Sequence, residues 1–350
     1  MNSLNTLQSL IQVNKLNIHF QTECGLAHVV KDVTFSIGFG ETFGLVGESG
    51  CGKSVTSRSL MGLIPHPGKI SSGRIVLKPT RNEPSIDIVK SCEKEMQIIR
   101  GQTIGMIFQE PDMALNPIMR VGDQIAEAYY LQEKPSGIQA YLQRRLPVVY
   151  RQKKAKYLSD AIALLKDLDI SRPEIVARQY PHQLSGGMKQ RILIAIALAG
   201  SPSLLISDES TSSLDVSIQS QIIVLLNQLQ KEQRIQSVLF ITHDLGLAAM
   251  CCTRLAVMYA GSMCEIGLVP EIFHNPKHPY TKALLETIPK KSQTTHLKPI
   301  SGQVPDLVNP PSGCRFHPRC TKKIEKCEQK MPSMISVGKD HQVACWLSWE

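Results

Sequence analysis

Residues 47–54 have the types and spacing that bind phosphate. They read Gly-Glu-Ser-Gly-Cys-Gly-Lys-Ser and match the pattern G-x-x-x-x-G-K-[ST]. An apolar strand is predicted before them at 42–46, and a helix after them from 52 to about 63. Glycines let backbone N–H groups surround phosphate oxygens, Lys53 supplies a positive charge, and the Ser54 hydroxyl can ligate Mg²⁺. The predicted phosphate loop comprises Gly47, Glu48, Ser49, Gly50, Cys51, Gly52, Lys53, Ser54 and Val55.

Two adjacent carboxylates, Asp208 and Glu209, follow an apolar strand predicted at 204–206. At the end of a buried strand, Asp208 can reach the Mg²⁺ shell. Glu209 points the other way and can polarise a water in line with the γ-phosphate. Adjacent acids at a strand end are common, but their position after a phosphate loop makes this pair a candidate for nucleotide hydrolysis.

Gln109 and His243 also come directly after predicted strands, at 104–108 and 237–241. The neutral amide of Gln109 can sense Mg²⁺ or the attacking water without adding charge. The imidazole of His243 can hold the γ-phosphate, although a structural role for this side chain is an equal alternative. Taken alone, Gln109 is an ordinary polar turn residue.

A second anion-binding helix start is predicted at residues 184–191, which read Leu-Ser-Gly-Gly-Met-Lys-Gln-Arg. Ser185 is a good N-cap for the apolar helix that continues through 192–199. Gly186 and Gly187 let a bulky anion approach the exposed N–H groups of the first turn.

The composition is that of a globular protein with two or three domains, since the chain has 350 residues and is 42% hydrophobic. No apolar run approaches the roughly 18 residues of a membrane span, and no secretory signal is recognisable, so a cytoplasmic chain is expected. The net charge is +9. The basic stretch at 144–156 can touch nucleic acid or an anionic surface, or it can be a solvated helix face.

Alternating strands and helices predict an α/β fold with a parallel sheet. Residues 71–109 are expected to form short strands with polar loops, 111–183 a largely helical insertion, and 218–230 a periodic helix. After residue 267, Pro, Cys and His become frequent and apolar strands fade, which indicates a C-terminal appendage. Further strands are expected at 13–20, 29–37, 42–46, 104–108, 204–206, 237–241 and 255–259.

In this order, the motifs resemble those of ABC-type ATPases over roughly residues 11–266. The segment Ser213-Leu214-Asp215 matches the D-loop of that family. The resemblance implies a P-loop NTPase with a RecA-like parallel sheet core, an antiparallel β subdomain and a helical subdomain at about 110–184. An N-terminal tail would cover 1–10, and the appendage 267–350. Such domains work as head-to-tail pairs, in which ATP on one chain's phosphate loop is covered by the signature residues of the other. The signature residues here are Ser185, Gly186, Gly187 and Gln190, and Asp215 is the D-loop aspartate.

Three further segments, 109–117, 180–183 and 278–285, resemble the ATPases of the dipeptide/oligopeptide/nickel importer group. This implies an ATPase that powers peptide uptake as a translocase, with a second, different ATPase chain, two permease subunits and a solute-binding protein. The chain would lie on the cytoplasmic face of the bacterial inner membrane, without nucleic acid. Nickel-chelate or antimicrobial-peptide uptake, a soluble ATPase acting on ribosomes or DNA, and a non-hydrolysing subunit are the alternatives.

Two features depart from the family pattern. Ser210 follows the acidic pair where the family usually has Pro, which affects the stiffness of that loop. The aromatic side chain expected to stack on adenine is not evident, with Phe20 and the Ala27-His28 region as the places to look.

Four of the ten cysteines, Cys314, Cys320, Cys327 and Cys345, cluster in the appendage. Their spacing differs from common zinc and ferredoxin patterns, yet favours a metal centre over separate buried thiols. The family resemblance implies a [4Fe–4S] cluster, with Zn²⁺ as the alternative. Nothing in the sequence links these cysteines to the phosphate chemistry, so a structural role is expected.

Cys51 lies within the phosphate loop. Its thiol is either a reactive thiolate, favoured by the loop N–H groups and Lys53, or simply a small residue that fits. The other cysteines, Cys24, Cys92, Cys251, Cys252 and Cys264, are expected to be small buried hydrophobes.

Overall fold

The computed structural model describes residues 9–132, 147–209, 216–288 and 300–349. These residues form two compact units. The first contains residues 9–91 and 239–349, and the second contains 92–238.

The strands are β1 (Ser9–Thr22), β2 (Gly25–Gly38), β3 (Thr42–Val46), β4 (Gly68–Leu77), β5 (Ile86–Asp87), β6 (Ile104–Ile107), β7 (Leu204–Asp208), β8 (Ser237–Thr242), β9 (Arg254–Tyr259), β10 (Ser262–Leu268), β11 (Ile335–Gly338) and β12 (His341–Val343). The α-helices are α1 (Lys53–Ser59), α2 (Glu93–Gln102), α3 (Pro111–Ala114), α4 (Val121–Gln132), α5 (Pro147–Asp167), α6 (Pro173–Val176), α7 (Gly186–Leu198), α8 (Val216–Lys231), α9 (Leu245–Cys251), α10 (Val269–His274), α11 (Pro279–Glu286) and α12 (Glu325–Gln329). Short 3₁₀ turns occupy Pro181–Gln183, His317–Arg319 and Trp346–Ser348.

An antiparallel sheet with the strand order β2-β1-β4-β5 belongs to the first unit. Its apolar side chains, including Val13, Leu16, Val33 and Phe35, are buried, and polar neighbours along both long strands are exposed. This alternation is what a sheet with one solvated face requires. The antiparallel β subdomain expected from the sequence is confirmed.

The larger sheet of the first unit has the order β11-β12-β10-β9-β3-β8. Its central strands β3 and β9 run parallel, with Val46 opposite Val257, and every residue of β3 is buried. Parallel strands buried on both faces read as continuous apolar runs, which is why the sequence reveals them. The α/β fold class is confirmed.

Two strands of the C-terminal appendage extend this sheet, where the sequence predicts that strands fade. β12 pairs with β10, with Glu265 opposite Val343, and β11 pairs with β12. Each is only three or four residues long. Segments this short carry too little periodicity to predict a strand.

In the second unit, β6 and β7 pair in parallel, and Ile107 lies opposite Ser207. A Cβ at Gly105 would lie 2.6 Å from the carbonyl oxygen of Ala197, so glycine allows α7 to approach β6 closely. The described residues between 111 and 183 are helical where they are regular, as the sequence predicts.

The prediction of only short strands at 71–109 is wrong for residues 93–102, which form α2. Glu95 caps this helix by accepting a hydrogen bond from the Cys92 N–H at 2.9 Å. Met96 and Ile99, three residues apart, are buried on one face. A glutamate at the third helical position and this spacing are the signals that could have revealed the helix.

Among the described residues, no helix has the length and apolar character needed to cross a membrane.

Candidate functional site

The phosphate loop connects the buried strand β3 to helix α1 in the first unit, as predicted. Gly47 adopts a φ of 155°, and a Cβ there would lie 2.1 Å from the Met258 carbonyl oxygen. Gly52 caps α1 with a φ of 100°, and a Cβ there would lie 2.7 Å from the Val29 carbonyl oxygen. Only glycine suits both positions, because side chains are disfavoured at positive φ and would also clash with backbone.

Lys53 lies within the curve of this loop. Its side chain is buried, and Nζ donates hydrogen bonds to the carbonyl oxygens of Gly47 at 2.9 Å and Glu48 at 3.0 Å. A buried ammonium held by loop carbonyls places a positive charge where a phosphate anion is to be bound. Ser54 and Val55 continue directly into α1 and are half-buried.

Cys51 is fully buried beneath the loop. Burial raises the pKa of the Cys51 thiol, although the nearby Lys53 acts in the opposite direction. A neutral thiol is a poor nucleophile. The structure therefore favours the alternative in which Cys51 is a small buried residue.

Gln109 and the acidic pair come together in the second unit, where β6 and β7 end at the same edge. Nε2 of Gln109 donates a hydrogen bond to Oε2 of Glu209 at 3.3 Å. Asp208 is buried at the end of β7. Glu209 has a φ of 45°, a left-handed conformation that costs a non-glycine residue about 1–3 kcal/mol and is concentrated at functional sites.

The signature residues lie at the start of α7 in the same unit. Ser185 is the N-cap, as predicted, and its hydroxyl accepts a hydrogen bond from the Met188 N–H at 3.4 Å. Ser185 and Gly186 are exposed and Gly187 is half-buried. Exposed N–H groups at a helix start can receive an anion from outside the chain.

Gln190 lies one turn further along α7 and differs from the other signature residues. Its side chain is fully buried, and neither atom of its amide group has a hydrogen-bond partner. The structure therefore does not place it on the exposed surface with Ser185.

His243 and Asp215 complete the predicted set. His243 is exposed and follows β8 immediately before Asp244, which caps α9 by accepting hydrogen bonds from the N–H groups of Gly246 and Leu247. Asp215, the rest of the D-loop and Ser210 lie outside the described residues, as do residues 144–146 of the basic stretch. Within that stretch, Lys154 pairs with Asp123 at 2.8 Å.

The Ala27-His28 region, one of the two candidate sites for an adenine contact, lies beside the phosphate loop. The carbonyl group of Val29, next to His28, closely approaches Gly52. Phe20 instead packs against Gly68 at the start of β4.

The four appendage cysteines Cys314, Cys320, Cys327 and Cys345 line one pocket of the first unit, together with His317 and Trp346. Burial, and secondarily the neighbouring thiols, raise the pKa of Cys314 to about 11. Burial likewise raises the pKa of Cys320 and of Cys345. Among the described side chains, no group of three or more His, Cys, Asp or Glu residues is arranged to hold a single metal ion.

The appendage also contacts the phosphate loop, which the sequence does not reveal. The Glu48 N–H donates to the hydroxyl oxygen of Tyr280 at 3.0 Å, and Arg319 binds both carboxylate oxygens of Glu48 at 2.7 and 3.1 Å. The cysteine segment is therefore linked to the phosphate loop, contrary to the expectation from the sequence. No local signal predicts these contacts, because Arg319 and Glu48 are 271 positions apart.

Comparisons with known proteins agree with this geometry. The profile of the family described as "ABC transporter" matches residues 30–212, and that described as "Oligopeptide/dipeptide transporter, C-terminal region" matches 264–327. Among solved structures, the dimeric ATP-binding cassette MJ0796 bound to ADP and phosphate is similar with a TM-score of 0.59 and 22% identity, over 74% of this chain and 98% of that one. The structure of CbiO1 from Clostridium perfringens has a TM-score of 0.58 and 28% identity, over 77% and 92% of the two chains.

A strand, phosphate loop and helix, with an acidic pair ending another strand, define a P-loop ATPase. Two relatives from Bacillus subtilis strain 168 extend the similarity over the chain. Its dipeptide transport ATP-binding protein is 43% identical over 97% of this chain and 95% of its own length. Its oligopeptide transport ATP-binding protein is 44% identical over 97% and 88%. The chain belongs to the ATP-binding subunits of the ABC transporter family, and it is a transport ATPase that uses ATP and Mg²⁺.

Proposed function

We propose that this chain powers the import of peptides through a separate permease. The observation that carries the proposal is that similarity to peptide-transport ATPases covers the phosphate-loop region and the appendage alike. An ABC ATPase that serves another class of transporter is not expected to share the sequence of the appendage. Two permease subunits and a solute-binding protein would complete the importer, with this chain peripheral to the cytoplasmic face of the inner membrane.

The proposed chemistry divides between the two units. In the first, residues 47–55 would hold the ATP phosphates, and the buried Lys53 supports this role. In the second, Glu209 would polarise the attacking water, and its hydrogen bond to Gln109 supports a shared role at that water. His243, exposed after β8, would contact the γ-phosphate. Mg²⁺ would be held by Ser54, Gln109 and Asp208, whose hydroxyl, amide and carboxylate oxygens suit a hard cation.

A second ATPase chain, different from this one, would complete each nucleotide site. The N-terminal turn of α7 supports this role, because Ser185 and Gly186 are exposed and Gly187 is half-buried. Asp215 and Gln190 would contribute from the same chain, Gln190 through the packing of α7. Closure of the pair around ATP would drive the permease, and hydrolysis would reset it.

We infer that the four-cysteine pocket holds a [4Fe–4S] cluster, with Zn²⁺ as the alternative. Thiolates are the usual ligands of such clusters, and four cysteines from separate parts of the appendage meet at one pocket. Iron and sulfide analysis of the anaerobically purified chain tests this. About four of each per chain is expected, and one tightly bound zinc without iron would contradict it.

Uptake by the reconstituted importer tests the proposed function. The chain is purified with its membrane partners, placed in proteoliposomes and supplied with MgATP on its own side, and accumulation of a labelled peptide is measured. We expect ATP-dependent uptake that Lys53→Ala abolishes. Uptake of a nickel chelate but no peptide, or co-purification with ribosomes instead of a permease, would contradict the proposal.

A further inference from the structure

The segment 314–320 places two arginines directly beside two cysteines of the pocket. Arg315 follows Cys314, and Arg319 precedes Cys320. Both arginine side chains are largely buried. Arg319 bonds to Glu48 of the phosphate loop, and Arg315 bonds to a turn that contacts this loop. Buried arginines are rare unless every charge is compensated, so their partners are informative.

Arg319 makes full use of its guanidinium group. Its five N–H groups have five acceptors, and the guanidinium lies over the Tyr259 ring with 5.6 Å between its carbon and the ring centroid. Lysine could not reproduce this arrangement, because a compact ammonium has only three donors and no planar fork. The acceptors are both carboxylate oxygens of Glu48, the Tyr259 hydroxyl, and the carbonyl oxygens of Ile300 and Ser301.

Tyr280 holds the backbone of the same loop residue. Its ring is completely buried and packs against Tyr259 and Phe316, with ring centroids 4.6 and 5.3 Å away. Its hydroxyl oxygen accepts the Glu48 N–H. Glu48 is thus fixed through its main chain by Tyr280 and through its side chain by Arg319.

Arg315 supports the loop from a second direction. It donates to the carbonyl oxygens of Ala260 and His28. Ala260 has a left-handed φ of 43°, and the next residue, Gly261, donates its N–H to the Cys51 carbonyl oxygen at 2.9 Å. Arg315 therefore stabilises the strained turn that contacts the phosphate loop.

Charge gives these contacts a consequence for nucleotide binding. Glu48 places a carboxylate within a loop whose proposed ligand is a polyanion, and like charges repel. The guanidinium of Arg319 neutralises that carboxylate in a partly buried setting, where screening by salt is weak. Without Arg319, the Glu48 carboxylate would lose the cation that pairs with it.

We propose that the four-cysteine segment positions the phosphate loop and neutralises Glu48 through Arg319, so that ATP affinity depends on the fold of this segment. Arg319 is a positioning residue, since it acts on the nucleotide through Glu48. The proposal rests on the assignment of residues 47–55 as the nucleotide-binding loop. Linkage is reciprocal, so ATP binding must in turn stabilise the segment that contains the cysteines.

Equilibrium binding of MgATP to the full chain, with thermal stability measured in parallel, tests the proposal. Arg319→Gln is expected to weaken binding by about tenfold or more, as repulsion of roughly one charge predicts. Adding Glu48→Gln to that variant is expected to recover much of the loss, because the uncompensated carboxylate is then gone. Arg74→Gln, which removes an exposed arginine paired with Asp87 in the same unit, is the matched control and should leave affinity unchanged.

The outcomes separate the inference from the assignment on which it rests. If Lys53→Ala retains full ATP affinity, the nucleotide-loop assignment fails. If Lys53→Ala loses affinity while Arg319→Gln keeps it, the assignment stands and the role of Arg319 is rejected. A double variant that binds no better than Arg319→Gln would contradict charge neutralisation.

Hydrogen exchange supplies a test that does not require Arg319 to be changed. In the unaltered chain, MgATP is expected to slow amide exchange at residues 314–327. In Glu48→Gln this protection should shrink, because the ion pair that links the two segments is lost. Equal protection in both proteins, or none in the unaltered chain, would overturn the proposal.

Discussion

Gln109 donates a hydrogen bond to Glu209 across the ends of two neighbouring parallel strands, with 3.3 Å between Nε2 and Oε2. The two residues are separated by 100 positions in the chain. The pairing of β6 with β7 brings them to one edge, and Glu209 leaves its strand in a left-handed conformation. The amide therefore holds the proposed general base in place before any water is activated.

Removing that amide should slow hydrolysis more than it weakens binding. In Gln109→Ala, Glu209 loses a hydrogen bond that orients it, and we expect kcat for ATP to fall by about tenfold to a hundredfold. The change in ATP affinity should be much smaller. The exposed Gln228→Ala on α8 serves as the control, and unchanged turnover in Gln109→Ala would show that the contact has no role at the water.

The Cys51 thiol should be unreactive, because burial keeps it protonated and inaccessible. Cys24 and Cys92 are exposed, and the expectation that they are buried is wrong. We expect N-ethylmaleimide at pH 7.5 to modify Cys51 more than about tenfold more slowly than these two thiols. Peptide mass spectrometry over a time course measures all three sites in one sample. Equal rates would instead support the thiolate alternative.

Gln190 should lower the stability of the chain, because its amide is buried without hydrogen-bond partners. Gln190→Met removes that uncompensated group at similar volume, so we expect unfolding to require about 1–3 kcal/mol more. Denaturant unfolding measures this, with the exposed Gln228→Met as the control. A loss of stability would show that the amide is satisfied in the folded chain.

Because of His278, the free energy of unfolding should decrease at acidic pH. It caps α11 by accepting the Tyr280 N–H at Nδ1, and burial lowers the pKa of His278 to about 3. In the unfolded chain the pKa of His278 is about 6.5, so the unfolded chain takes up a proton more readily than the folded chain. The contribution of neutral His278 to the free energy of unfolding is therefore complete above that pH and declines as the pH falls toward 3. About 2 kcal/mol should be lost between pH 6.5 and 5, at roughly 1.4 kcal/mol per unit.

The variant His278→Asn isolates this contribution. Asparagine can still accept the capping hydrogen bond but does not titrate, so its unfolding free energy should change less between pH 6.5 and 5. An identical pH dependence in both proteins would exclude His278 as the source.

The phosphate loop, the acidic pair and the capped signature helix could be predicted because each depends on neighbours in the sequence. A glycine-rich loop between an apolar strand and a helix has few other interpretations. Helix α2 is harder to predict, because the buried pair Met96 and Ile99 lies within a largely polar segment. The contact of Arg319 with Glu48 could not be predicted, since it depends on how the distant appendage packs beside β9.

ATP turnover in the Glu209→Gln importer, assembled with its second ATPase chain and permease, tests the central claim most directly. Glutamine keeps the shape of the side chain but cannot accept a proton. We expect steady-state hydrolysis to fall by about a hundredfold or more while ATP remains bound and the paired chains stay closed. Turnover equal to that of the unaltered importer would contradict the assignment of Glu209 as the base.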